Sequence, residues 1–185
     1  MENRNQNQNT VFVWRIAASH VLAYFIAGIF AVYFMNYKEH YASQYMSLLM
    51  LPVDSPMVAL GPSLQIFRGI IIALVLIPFK NIILNDRFGI LKMAGLIFGL
   101  SFISTIGPTP GSFEGYIYTI LPLQYHLLGI PETILYISLF SVFIGGWYKY
   151  NKPVINILSI IFTLLIVLMS VMGYLKAVGL LKVPN

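Results

Sequence analysis

Ser104–Glu132 reads STIGPTPGSFEGYIYTILPLQYHLLGIPE, and its reading decides how often the chain crosses its solvent. The stretch is mostly apolar, yet it holds four prolines, four glycines, two glutamates and one histidine. Pro122 lacks the N–H that a mid-helix position uses, so a helix ends or kinks there. The apolar part, residues 113–128, is also short for a hydrocarbon core of about 30 Å, which takes roughly 20 residues to cross. Two readings follow: a sixth, interrupted crossing, or a re-entrant or interfacial segment near 108–131. Broken backbone is tolerated at membrane depth only against protein or water, which favours the second.

The surrounding sequence makes lipid the natural solvent. The chain of 185 residues is 58% hydrophobic and 9% charged, with a mean hydropathy of +0.81. Soluble chains are about 25% charged. Five segments are long enough to span, at roughly 12–35, 63–84, 88–107, 132–149 and 154–175. Their apolar residues run on without the alternation of a strand. The fold class is therefore all-α: a polytopic helical bundle with five transmembrane helices plus the segment near 108–131. The polar stretch 1–10, MENRNQNQNT, reads as a disordered tail, and 11–185 as one bundle domain. The apolar run after the tail is too long for a cleaved signal peptide.

Lys and Arg orient the bundle. An N-terminus on the inside places Arg4, Arg15, Lys80, Arg87, Lys92, Lys149 and Lys152 there, against Lys38, Lys176 and Lys182 outside. That bias predicts a cytoplasmic N-terminus for either number of crossings. Residues 107–131 carry no Lys or Arg, as outer loops tend to. Arg15, Lys80, Arg87 and Lys92, with Asp86, read as ordinary anchors at the inner interface. The net charge of +5 is scattered, so a nucleic-acid partner is not expected, since a phosphate backbone calls for a basic patch. Cysteine is absent, which excludes disulfides and thiolate chemistry.

The residues that could carry chemistry are few. Arg68 falls about five residues inside the second expected span, roughly 8 Å deep. An intramembrane guanidinium pairs, faces the interior or snorkels. Glu114 and Glu132 are its candidate partners, with Glu114 preferred because Gly111 and Gly115 flank it and permit close approach. Gln65, one turn before Arg68, shares its face. Both glutamates also suit the first turn of a helix, where the dipole favours a carboxylate. His126 is a candidate hydrogen-bonding or proton-carrying group. His20 shares a face with Tyr24 and reads as a satisfied bundle histidine. Three scattered histidines without HExxH spacing give no metal site, and no cofactor is expected. Arg68, Glu114, Gln65, His126 and Glu132 are thus the candidate substrate-binding residues.

Small residues supply the remaining pattern. Gly95 and Gly99 stand at GxxxG spacing, and Ala23, Ala27 and Ala31 repeat every fourth residue, so helix backbones can approach there. Asn156, Ser159, Thr163 and Ser170 lie near one face of the last span, toward the bundle or toward another membrane protein. No Ser–His–Asp order, nucleophile elbow, P-loop or dinucleotide fingerprint is present. Three functions fit: a transporter or substrate-binding membrane subunit with an outward-facing polar pocket, a non-catalytic partner or assembly subunit, and an intramembrane lipid-modifying enzyme using Glu114 and His126 as acid and base.

Overall fold

A computed structural model describes residues 2–103 and 107–181. Among them the structure is all-helical, with nine α-helices: α1 (Glu2–Phe34), α2 (Tyr37–Ala42), α3 (Pro56–Leu76), α4 (Lys80–Asn85), α5 (Gly89–Phe98), α6 (Phe113–Tyr118), α7 (Leu123–Leu128), α8 (Ile130–Tyr150) and α9 (Pro153–Ala177). Four apolar stretches among the described residues are long enough to cross a membrane: Gln8–Phe34, Pro56–Asn85, Leu123–Tyr150 and Pro153–Ala177. The third expected span, 88–107, is shorter. It is α5 followed by a π-helical turn over Gly99–Ile103, and residues 104–106 lie outside the described part. The polar opening residues, read as a disordered tail, are drawn into α1 from Glu2.

The ends of the bundle follow from side-chain contacts. At the near end, where α1 begins, Arg15 meets Asn151 after α8, and Ile90 of α5 packs over Gly145 of α8. At the far end, where α1 finishes, Tyr37 meets Glu132 of α8. Pro110 and Gly129 line one small cavity there with Tyr37, Tyr41 and Met46. Both ends of the segment 110–129 thus lie at the same end of the bundle. Its two helices, α6 and α7, have six residues each, about 9 Å of rise, and neither can cross. The break between them falls at Thr119–Pro122, and α7 begins directly after Pro122. Ile90 accordingly lies toward the near end and Pro110 at the far end.

α1 is the central helix. It packs against α3 and α8 most extensively, and against α9. Its sequence explains why, since Ala17, Ala18, Ser19, Ala23, Ala27 and Ala31 are all buried. Small side chains let neighbouring backbones come close, and in lipid this packing replaces the missing hydrophobic drive. α1 and α3 approach closely at Gly69 of α3, where an added Cβ would stand 2.8 Å from Ala17 Cα. Phe12, Ile16, Ala73, Leu76, Ile83, Met93, Phe140 and Ile144 fill the core between α1, α3 to α5 and α8. The expected GxxxG seam is not used this way. A Cβ at Gly95 or Gly99 would meet no described atom within 4 Å.

Pro62 sits inside α3, and the missing N–H loosens the turn there. Ser170 of α9 closes it. Its hydroxyl accepts from Ser63 N–H at 3.2 Å and donates to Ala59 C=O at 2.6 Å. Further along α9, Trp14 Nε1 donates to Ser159 Oγ at 3.2 Å, and Trp147 Nε1 to Asn156 Oδ1 at 2.6 Å. The polar seam of the last span therefore turns toward the bundle.

Gly69→Ala forces the α1–α3 backbones apart and is expected to cost about 1–3 kcal/mol. Gly95→Ala, with open space for its methyl group and better helix propensity, is expected to be neutral or slightly stabilising. Thermal unfolding of the purified protein in one detergent compares them, and equal midpoints would contradict the assignment of the tight contact. Ser170→Ala leaves two α3 backbone groups without their partner and is expected to lose about 1–3 kcal/mol in the same assay.

Candidate functional site

Three long helices meet around one buried histidine. His20 lies a turn past Ala17 on α1 and is 1% exposed. Its Nδ1 is 2.6 Å from Tyr136 Oη on α8, and its Nε2 is 3.0 Å from Gln65 Oε1 on α3. Gln65 Nε2 donates onward to Gly61 C=O at 3.4 Å. The donors and acceptors fit one assignment, with Tyr136 O–H donating to Nδ1 and Nε2–H donating to Gln65 Oε1. The ring also stands edge-on to Tyr136 and Phe140, with centroids at 5.5 and 6.3 Å. Gln65, expected beside Arg68 in a ligand site, is instead the α3 arm of this chain. Sequence spacing pairs His20 with Tyr24 but cannot reveal partners 45 and 116 residues away.

Arg68 lies on the exposed side of α3, one residue before the tight contact at Gly69. The expected ion pair with Glu114 is not formed: among the described residues the one ion pair is Lys92 with Asp86. The reason is depth. α3 begins at Pro56, so Arg68 is about 18 Å along the helix, whereas Glu114 stands in the first turn of α6 in the far-end segment. There its Oε2 accepts from Gly107 N–H at 2.9 Å. Arg68 follows Gln65 by three residues on α3, so it starts one turn beyond the partner of His20, and its side chain is exposed.

His126 is buried and structural in its contacts. Its Nδ1 accepts from Gly111 N–H at 3.2 Å, and its Nε2 lies 3.3 Å from Thr119 Oγ1. Thr119 donates to Gly115 C=O at 2.6 Å. Gly111 has φ +84°, a left-handed conformation that suits glycine. Both ring nitrogens thus clamp the turns around α6 and α7. No hydrogen bond joins His126 to Glu114, and each is engaged by loop groups, so the acid–base pair of the enzymatic reading is not brought together.

Two candidates line far-end cavities, His126 the smaller and Glu132 the larger. Glu132 stands in the first turn of α8, after Pro131. Its Oε2 accepts from Tyr37 O–H at 2.6 Å, and no ion pair with it is found among the described residues. The cleft beside it has a volume of about 310 Å³ and is walled by Tyr24, Tyr33, Tyr37, Tyr41 and Pro62. That size is within the range of small-molecule sites. Burial, the Glu132 hydrogen bond and its charge hold the Tyr37 phenol well above its usual value. Burial first, then the charge of Glu132, push Tyr41 up to about 12. Both therefore remain neutral donors beside the carboxylate. Tyr37 and Tyr41 share a face of α2 at i, i+4 spacing, a spacing that gives no sign of the carboxylate beside them.

A raised phenol value in the folded protein has a fixed sign. The stabilisation is complete below the unfolded value of about 10 and is lost as pH rises through about 12. The stability advantage of the native protein over Tyr41→Phe should be level up to about pH 9 and shrink above about pH 10. Thermal unfolding against pH measures it, and a flat difference would contradict the burial of this phenol. Comparison with protein-family models, with curated proteins and with solved structures finds no match for this chain.

Proposed function

We propose that this membrane protein binds a small amphipathic zwitterion in the far-end cleft, as a substrate-binding subunit or transporter. The observation that carries this reading is Glu132. Its carboxylate lines the cleft among Tyr24, Tyr37 and Tyr41, accepts from Tyr37 O–H, and has no ion pair among the described residues. Ionisable groups inside a membrane protein are expensive and mark binding paths. A carboxylate among tyrosine rings suits a cationic head, each cation–π contact contributing about 0.5–2 kcal/mol. Arg68 lies six residues beyond Pro62, about 9 Å along α3, and supplies the counter-charge for an anionic group on the same molecule. Ile29 and Val32, exposed at 43% and 38%, line the cleft as well and offer an apolar wall for a chain.

Three probes of one alkyl length test it on protein in maltoside micelles: an alkylammonium, an alkanoate and an alkyl betaine carrying both charges. The betaine is expected to raise the unfolding midpoint most. Glu132→Gln keeps an acceptor for Tyr37 while removing charge, and Arg68→Gln removes the other charge. Each should weaken betaine binding on the order of tenfold, the first abolishing the response to the ammonium and the second that to the alkanoate. Equal responses to all three probes, or betaine binding indifferent to both substitutions, would refute the proposal.

A further inference from the structure

The near end holds a second polar cavity that the far-end site does not use. Its volume is about 560 Å³, and Gln8, Arg15, Lys80, Asn81, Asn85 and Asn151 supply its polar lining. Two cations face four side-chain amides, and no carboxylate lines it among the described residues.

Arg15 is not the interface anchor that its position in the sequence suggests. It is 5% exposed, with its guanidinium over the rings of Tyr148 and Trp147 at 4.6 and 5.6 Å. One terminal nitrogen, Nη2, donates to Asn151 Oδ1. Asn151 closes α8 in a left-handed turn with φ 38°, which turns its side chain to Arg15. The Nε–H of Arg15 is buried and has no partner. Lys80 Nζ donates to Asn9 Oδ1 at 3.2 Å and lies 5.9 Å from the Phe12 ring centroid. A buried guanidinium held by an amide, aromatic faces and the Tyr148 phenol, with no ion pair among the described residues, leaves its charge uncompensated. Burying such a charge is costly unless a counter-charge arrives.

We infer that this cavity binds a phosphate group, held by Arg15 and Lys80 and oriented by the surrounding amides. The planar guanidinium fork matches phosphate oxygens, and the lysine adds a point charge. The same chemistry is presented by a soluble phosphate compound and by an anionic phospholipid headgroup at the membrane surface.

Two measurements on the full chain in maltoside micelles separate these sources. Pyrophosphate is titrated against the unfolding midpoint, and retained phosphatidylglycerol is counted by native mass spectrometry. The variants are Arg15→Gln, Lys80→Gln at a half-buried position, and Lys92→Gln, whose residue lies outside the cavity and pairs with Asp86. Pyrophosphate stabilisation weakened on the order of tenfold or more by Lys80→Gln, and untouched by Lys92→Gln, identifies a soluble phosphate ligand. Retention of phosphatidylglycerol with the same dependence identifies a headgroup. Arg15→Gln should act in the same direction; if it fails to fold, Lys80→Gln carries the comparison. Neither ligand binding, or binding that Lys80→Gln and Lys92→Gln reduce equally, would overturn the inference.

Discussion

The approach of Gly69 to Ala17 sets the distance between α1 and α3, and much of the bundle's chemistry follows from that distance. With no side chain at Gly69, the two backbones come close enough for Gln65, one turn earlier, to reach His20. His20 then takes its second partner from Tyr136, so α8 is fixed against the same side of α1. The neighbour of Gly69, Arg68, is turned by the helical repeat out of this contact and is exposed. One small residue thereby positions a buried hydrogen-bond chain and leaves the adjoining cation at the surface of the bundle.

Lipid gives no hydrogen bonds, so polar groups inside such a bundle must answer one another. The bundle meets this with pairs that cross between helices: Trp14 with Ser159, Trp147 with Asn156, and Ser170 with the backbone of α3. Against that background the groups without counter-charges among the described residues stand out. Glu132 lines the far-end cleft, and Arg15 with Lys80 lines a cavity at the other end. The first arrangement presents a carboxylate among phenols, the second two cations among amides, and the two suit different ligands.

The long helices were legible in the sequence because hydropathy alone selects them, and the break at Pro122 because proline removes a donor. The alanine repeat of α1 was legible for the same local reason. What could not be read locally was register between helices. Arg68 was given Glu114 as a companion by measuring its depth from residue 63, whereas α3 starts at Pro56 and carries the guanidinium much deeper. Gln65 and His20 became partners only through the α1–α3 contact. Arg15 reads as a surface anchor until the turn at Asn151 brings an amide to it. Gly95 and Gly99 carry the strongest packing motif in the chain, yet the tight contact falls at Gly69, beside no motif at all. Glu132 suited a helix first turn in the sequence and occupies one, while its bond to Tyr37 required the loop fold.

The hydroxyl of Ser170 reaches back to a proline-loosened turn 107 residues earlier, at Ser63. That bridge joins two positions far apart in the chain, so the Ser63 N–H and Ala59 C=O gain this partner only once α9 has packed against α3. The turn that the proline weakens is thus completed by a later helix, and its closure is a tertiary event rather than a local one.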